Sequence, residues 1–380
     1  MNIYQQRQKT KSHAMMTAAR TLERLNIAQS QPIDIFRVIQ EEGIWLMFQP
    51  LKNLYGFYLK EGNAAGIQIN SKHPLKLQRY TAAHEYAHHI LGHSTSLDDA
   101  AYIERAYSSS NLQELAADTF AAYFLMPPQL VNTLLKRMGL LRVGRPLTSI
   151  EVYRLSLEMG ASYAATVNHL AALDIVTSED VERVRLIRPK QIKAQLQSQP
   201  LENSWAEIWV LDQADSGKEL RLRVYDDLKI SLPENPTTGY IWTFDEAVVQ
   251  YSGLTVGTAP ELSGQESDLQ QSLFGLSSPQ GTPHPLMMVY NDFEANSSSE
   301  DQKIYGSGGN RYFTVRTLLP GHHVLRLLER RPWEEEADAQ QSEWLIFRNS
   351  WGERWGEAGY GFIKFEYIKL DGCMAFVVEI

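Results

Sequence analysis

Two kinds of hydrophobic spacing divide the chain near residue 200. Before it, apolar residues recur at the spacing of helices that bury one face, interrupted by three short alternating stretches. After it, the alternation that is typical of strands predominates. Helices are predicted at 11–26, 34–42, around residue 84, and at 111–126, 129–138, 148–159, 162–173 and 177–197. Strands are predicted at 45–48, 55–59, 65–69, 206–211, 220–224, 228–232, 312–315, 324–328, 361–367 and 374–380.

These patterns predict an α+β multidomain protein. Residues 1–197 form a mostly helical domain with a small sheet, residues 203–338 an all-β domain, and residues 339–380 a tail packed on the β-domain. The polar residues 197–203 are typical of a linker. Residues 252–299 are rich in Ser, Gln, Gly and Pro, which predicts a mobile insertion within the β-domain.

Composition narrows the class of protein. The single cysteine excludes an intrachain disulfide and fits a reducing compartment. The first residues are polar and basic, without the apolar core of a signal peptide, and no apolar run is long enough to cross a bilayer. The net charge of −9 argues against nonspecific nucleic-acid binding. We therefore expect a cytoplasmic protein with no membrane partner and without direct nucleic-acid binding.

The run His84-Glu85-Tyr86-Ala87-His88 carries candidate chemistry. Two histidines four residues apart lie on one face of a helix and can hold one metal ion. Glu85, next to the first histidine, is placed to handle the protons of a water activated by that ion.

A catalytic zinc site needs a third protein ligand, and the helix predicted at 111–126 offers Glu114. Asp118 lies one turn further on the same face and could orient a ligating histidine. The alternative interpretation of Glu114 is a solvated carboxylate on an exposed helix face, and the two nearby histidines favour the ligand.

A helix-turn-helix-like pair is predicted at 148–173. Thr148 and Glu151 form a capping box, and Gly160 separates the two helices. Such a pair could read DNA, but its second helix is poor in Lys and Arg, which favours substrate docking or plain packing.

The first half of the chain resembles the ImmA/IrrE family of metallopeptidases. The resemblance rests on Arg79-Tyr-Thr-Ala-Ala-His84-Glu85, on Glu114-Leu-Ala-Ala-Asp118 and its continuation to Pro127, and on the preceding segments around Ile33, Gly56 and Ile67. It implies a zincin-like fold, one zinc ion held by His84, His88 and Glu114, and Glu85 as the catalytic glutamate. Family members commonly cut a transcriptional repressor, often in a stress response.

Three separated motifs in the second half resemble the binding loops of chagasin-type inhibitors of papain-like cysteine peptidases. The resemblance implies an immunoglobulin-like β-sandwich and a papain-like peptidase as partner; the alternative is a β-domain with ordinary turns. The motif residues are Asn235, Pro236, Thr237, Thr238, Gly239, Tyr240 and Trp242, then Gly306, Gly308 and Gly309, then Arg331, Pro332 and Trp333.

The segment around Asn349 and Trp351 resembles the part of papain-family enzymes that carries the active-site asparagine. No cysteine precedes Asn349, and the sole Cys373 follows it, so the chain cannot be a complete papain-like enzyme. Cys373 is interpreted as a small buried apolar residue. Two explanations stay open: strands of the tail complete the β-sandwich, or the tail mimics or completes a partner papain-like enzyme.

The sequence as a whole predicts a zinc endopeptidase that cleaves a specific intracellular protein, such as a helix-turn-helix repressor. Glu85 acts as the base, while His89 and His93 are either oxyanion donors or structural residues. The alternative is a binding protein that restrains a papain-like peptidase, with the zinc domain as its regulator.

Overall fold

The computed structural model describes residues 2–93, 112–141, 145–201, 204–244, 285–296, 308–330, 347–348, 360–361 and 373–379. The chain divides into two compact units, Met1–Ile192 and Lys193–Ile380. Within the described residues, no helix combines the length and the apolar character needed to cross a membrane.

The first unit is rich in helices and contains one three-stranded sheet, as the sequence predicts. The strands are β1 Trp45–Gln49, β2 Gly56–Glu61 and β3 Ala64–Asn70. In this sheet β3 lies between β1, to which it is parallel, and β2, to which it is antiparallel. The helices are α1 Ile3–Arg24, α2 Ile35–Glu41, α3 Leu75–Ile90, α4 Leu112–Leu125, α5 Pro128–Arg137, α6 Ser149–Glu158, α7 Tyr163–Ala172, α8 Ser178–Arg185 and α9 Pro189–Leu196, the last of which crosses the boundary between the units.

Helix α4 is the centre of this unit, because both α1 and α3 pack against it. Its inner face carries Ala117 and Ala121, small residues that let helices approach closely, and Phe120 and Phe124, which are fully buried. Tyr86 of α3 packs edge-on against both phenylalanine rings, with centroid distances of 6.0 and 5.7 Å. This aromatic cluster sets the position of α3 relative to α4.

One predicted helix is two helices in the structure. The sequence predicts a single helix at 177–197, whereas α8 ends at Arg185 and α9 begins at Pro189. Proline has no backbone N–H to donate within a helix and disfavours helical backbone at the residue before it, which accounts for the break. The capping box predicted for α6 is present, since Thr148 and Glu151 bond reciprocally.

The described part of the second unit contains two four-stranded sheets, which share one hydrophobic core, and a separate pair of short strands. The strands are β4 Ile208–Leu211, β5 Glu219–Arg221, β6 Asp227–Glu234, β7 Ile241–Phe244, β8 Leu286–Ala295, β9 Gly309–Thr317, β10 His322–Arg330, β11 Phe347–Arg348, β12 Tyr360–Gly361 and β13 Cys373–Glu379. The strand orders of the two larger sheets are β5-β13-β10-β7 and β4-β6-β9-β8. Residues of both sheets meet in the core, where the rings of Phe244 and Phe313 are 4.8 Å apart. The immunoglobulin-like class of this β-region stays a prediction.

The mobile insertion predicted at 252–299 is wrong in its second part. Strand β8 occupies Leu286–Ala295 and pairs antiparallel with β9 along almost its whole length. The apolar residues at its start are buried in the core, so this part of the chain is an integral strand. Residues 252–284 lie outside the described part of the chain.

Residues on either side of the predicted β-domain also belong to the second unit. Strand β13, from the predicted tail, is an inner strand between β10 and β5, while β11 and β12 pair with each other. In the predicted linker, Ser198 bonds to Thr314 at 2.9 Å and Gln199 donates to the carbonyl of Val289 at 3.2 Å. Residues 198 and 199 are therefore bonded to the sheet that contains β8 and β9.

Candidate functional site

Two helices of the first unit bring the predicted metal ligands together. His84 and His88 project from α3, and Glu114 projects from the first turn of α4. The Nε2 atom of His84 lies 3.1 Å from Glu114 Oε2 and 3.2 Å from His88 Nε2. His88 Nε2 lies 3.6 Å from the second carboxylate oxygen of Glu114. These three residues form a group that could hold one metal ion.

The spacing of the three ligands fits a zinc ion. Ligand atoms at about 2.0–2.1 Å from a tetrahedral ion lie about 3.3–3.4 Å from one another. The distances of 3.1, 3.2 and 3.6 Å bracket that spacing. Two imidazoles and one carboxylate are also a typical ligand set of catalytic zinc. Three protein ligands leave the fourth coordination position open for water or substrate.

His84 and His88 each also make a contact through the other ring nitrogen, Nδ1. Nδ1 of His84 donates to Asp118 Oδ1 at 2.9 Å, and the same oxygen accepts from the Tyr80 hydroxyl at 2.8 Å. Nδ1 of His88 lies 2.9 Å from Nδ1 of His93. A proton on Nδ1 of His84 and of His88 would leave the Nε2 lone pair of each ring, on the side of Glu114, available to a metal ion. Burial lowers the pKa of His88 to about 4, which favours the neutral, ligating form of its ring.

The position of His93 follows from the way α3 ends. Gly92 has a left-handed backbone, with φ of 67°, and the N–H of His93 returns to the carbonyl of His88 at 3.0 Å. This is the Schellman pattern, which places the residue after the glycine over the last turn of the helix. The sequence left the role of His93 open, although Gly92 is a typical signal for the end of a helix and so for the position of the residue after it.

Glu85 lies beside the ligands and against the outer strand of the sheet. Burial raises the pKa of its carboxyl to about 7, and a backbone hydrogen bond with Tyr58 of β2 opposes that rise. The Tyr58 hydroxyl bonds to Nδ1 of His89 at 2.9 Å. The structure thus gives His89 a partner on β2, whereas His93 supports a metal ligand.

In the second unit, residues 235–240 form a tight, exposed loop between β6 and β7. Asn235 opens a turn of 3-10 helix over Pro236–Thr238, and its side chain accepts from the Thr237 backbone at 3.3 Å and the Thr237 hydroxyl at 2.7 Å. Gly239 closes the turn with φ of 83°, a conformation that favours glycine. The loop thus holds its shape through its own hydrogen bonds.

Several strands end or begin at the same end of this unit. Glu234, the last residue of β6, pairs with Gly309, the first residue of β9. Arg330, the last residue of β10, pairs with Ile241, the first residue of β7. The strand ends that flank the three predicted loops therefore lie next to one another, as a shared docking surface requires.

The predicted loop residues differ from one another in their exposure to solvent. Asn235, Pro236, Thr237, Thr238 and Tyr240 are exposed. Trp242 is buried in the core, and its indole donates to the carbonyl of Pro233 at 2.9 Å. Gly308 and Gly309 lie at the start of β9. Residues Gly306, Arg331, Pro332, Trp333, Asn349 and Trp351 fall outside the described part of the chain.

Comparison with known proteins matches each half of the chain separately. Residues 39–165 match the family model of the IrrE N-terminal-like domain, Peptidase_M78, and residues 276–346 match that of the chagasin family peptidase inhibitor I42. Chagasin from Trypanosoma cruzi is 26% identical over 121 residues, which cover 32% of this chain and 79% of that protein.

Two solved structures align with 46% of this chain and 96% of their own. They are the cysteine protease inhibitor EhICP2 from Entamoeba histolytica, at 15% identity and a TM-score of 0.24, and Amebosin, at 16% identity and a TM-score of 0.23. TM-scores this low support no conclusion about the fold. The two family models and the relative in sequence agree on what each half is similar to: residues 39–165 are similar to an IrrE-like peptidase domain, and residues 276–346 to a chagasin-family peptidase inhibitor.

Proposed function

We propose that the first unit is a zinc-dependent endopeptidase that cleaves a specific protein in the cytoplasm. The observation that carries this proposal is the group of His84, His88 and Glu114 at zinc-ligand spacing, with Glu85 beside it. The match of residues 39–165 to a peptidase family supports the same reaction class.

The residues have separate roles in peptide hydrolysis. A zinc ion in this site would act as a Lewis acid that makes water a nucleophile at neutral pH and polarises the scissile carbonyl. Glu85 takes a proton from the attacking water and passes it to the leaving amine. His84, His88 and Glu114 would hold the ion, while Asp118 and His93 keep the two imidazoles in the ligating tautomer.

A transcriptional repressor of the helix-turn-helix type is the proposed substrate, on the strength of the resemblance to the ImmA/IrrE family. The test is affinity capture from native lysate with the Glu85→Gln variant, which should bind its substrate without cutting it. Recovery of such a repressor, followed by its cleavage by the wild-type protein and not by the variant, is the expected result. If the variant captures a different protein and the wild type cuts that protein, the proposed substrate is wrong while the proposed peptidase activity stands.

A second function is favoured by the surface at the end of the β-unit. We propose that it binds the active-site cleft of a papain-like cysteine peptidase, with the preformed loop 235–240 as one element and residues 306–309 and 331–333 as the others. The test is inhibition of papain by the full chain, measured with a small peptide substrate, with zinc present and after chelation. An effect of zinc on inhibition would make the first unit a regulator, and a lack of inhibition would refute the binding role.

A further inference from the structure

A buried carboxylate lies at the base of the loop 235–240. The side chain of Glu234 has no exposed surface, although the residue directly precedes the exposed loop. Arg311 of β9 donates to both of its oxygens, from Nη2 to Oε1 at 2.7 Å and from Nε to Oε2 at 3.1 Å. The pair therefore joins the end of β6 to the beginning of β9.

The same carboxylate also fastens the chain that leaves the loop. The backbone N–H of Trp242 donates to Glu234 Oε2 at 2.8 Å, and its indole donates to the carbonyl of Pro233 at 2.9 Å. Both bonds connect the two residues before the loop with the second residue of β7. The entry and exit of the loop are thus tied to one charged group.

Arg311 extends this connection to the second predicted loop. It follows Gly309 by two residues, and a Cβ on Gly308 would lie 3.5 Å from the carbonyl oxygen of Glu234. A Cβ on Gly309 would lie 2.1 Å from the carbonyl oxygen of Glu294, so β8 and β9 approach too closely for any side chain there. The start of β9 therefore lies directly against the base of the first loop.

We propose that the ion pair of Glu234 and Arg311 is a positioning device for the loops that dock into a cysteine peptidase cleft. The inference rests on the binding function proposed above. A buried ion pair adds little stability compared with apolar side chains of similar size, because both charges must be desolvated. Glu234 and Arg311 supply two things that apolar residues in their place could not. Glu234 is an acceptor for the Trp242 N–H, and the ion pair links the bases of the two loops. Loops held in their binding shape lose less conformational freedom on binding.

The chain contains a matched control for this device. Asp227 and Arg316 form a second buried pair of the same geometry between the same two strands, with distances of 2.7 and 3.0 Å. Asp227 is the first residue of β6 and Glu234 is the last, so the control pair lies at the opposite end of the strand. Replacing either carboxylate should lower the unfolding temperature, but only Glu234 touches the base of the loop.

The test compares Glu234→Gln and Asp227→Asn in the full chain. We expect Glu234→Gln to weaken the inhibition of papain by about tenfold or more, since an amide nitrogen would then face the guanidinium donors of Arg311. Asp227→Asn should leave the inhibition constant unchanged. Arg311→Lys, which keeps the charge but loses the two-pronged contact, should lie between the wild type and Glu234→Gln.

Hydrogen exchange of the backbone amides separates positioning from overall stability. The amides of Thr237, Thr238 and Trp242 should exchange faster in Glu234→Gln than in Asp227→Asn at matched overall stability. Equal inhibition and equal exchange in the two variants would overturn the proposal. If Glu234→Gln does not fold, the same comparison is made with Arg311→Lys. If the wild type does not inhibit papain, the binding function fails, while the exchange of these amides still decides whether the ion pair fixes the loop.

Discussion

The two candidate sites are built in opposite ways. The candidate metal centre consists of side chains on the regular helices α3 and α4, where helix periodicity and packing set the distances between the candidate ligands. The proposed docking surface of the β-unit consists of turns between strands, and its shape is attributed to hydrogen bonds within one loop and to a buried ion pair below it. A side-chain site on helices leaves a compact motif in the sequence, whereas a loop site depends on contacts between residues far apart in the chain.

This contrast makes the sites separable by mutation. A change in a metal ligand should alter metal binding and hydrolysis, and a change in the base should alter hydrolysis alone; neither should affect the loops. A change at the base of the loops should alter the binding of a peptidase without reaching the metal.

The largest effect is expected for Glu85→Gln. Loss of the base should lower kcat/KM for the protein substrate by roughly a thousandfold, while the zinc content and the inhibition of papain stay at the wild-type level. Cleavage assays, metal analysis and inhibition assays on one preparation give all three values. Full cleavage activity in this variant would refute the proposed mechanism.

The next largest effects are expected on zinc affinity, from replacing a ligand and from replacing the residues that bond to the ligands. His88→Ala should lose the metal, while Asp118→Ala and His93→Ala should each weaken zinc binding by about 10–100-fold, because the ligating imidazoles lose their fixed orientation. Competition with a chromophoric chelator measures these affinities. His89→Ala is the control, since His89 bonds to Tyr58 and should keep wild-type affinity. A loss in His89→Ala equal to that in His93→Ala would contradict the assigned roles.

The stability of the second unit should depend on the protonation of Asp226. Burial raises the pKa of this carboxyl from 3.8 to about 6. The folded state thus binds this proton more tightly than the unfolded state does. The resulting stabilisation is present below pH 4 and is lost as the pH rises through 6. Relative to Asp226→Asn, the wild type should lose on the order of 2 kcal/mol between pH 4 and 7.

Urea unfolding followed by tryptophan fluorescence measures this difference, because all tryptophans except Trp45 lie in the second unit. A parallel pH dependence in the wild type and the variant would show that Asp226 does not titrate in this range.

The smallest effect is expected for Gly239→Ala. Alanine at a φ of 83° is strained by about 1 kcal/mol, so the loop should lose part of its fixed shape and papain inhibition should weaken about fivefold. Gly217→Ala is the matched control: its φ is 77°, a Cβ there would meet no atom within 4 Å, and it lies outside the loop. Equal inhibition by both variants would indicate that the shape of this loop does not limit binding.

The sequence predicted the elements of the first unit well, because their signals are local. The period of α3 places His84 and His88 on one face, and Thr148 with Glu151 marks the start of α6. The role of Asp118 could be predicted since it lies one turn from Glu114 on a helix that was itself predicted. The break between α8 and α9 also has a local signal, which is Pro189 itself.

The features of the second unit that the sequence did not predict depend on contacts between residues far apart in the chain. Strand β8 follows a long polar stretch, and only its partner β9 makes Leu286–Ala295 a strand. Trp242 looks like part of a binding loop, yet its burial follows from the packing of two sheets. The contact of Glu234 with Arg311 joins residues 77 positions apart, and no spacing rule in the sequence connects them.

The placement of β13 has a consequence for how the protein is made. This inner strand joins β10 to β5, so residues 219–221 find their partners only at 377–379. While a ribosome is still synthesising the chain, the second unit must wait for these residues with an open sheet edge, which invites aggregation. By residue 192 the chain already contains the three candidate metal ligands and the three strands described in the first unit. The first unit can therefore fold during synthesis, and so shield its own apolar surface before the β-unit closes.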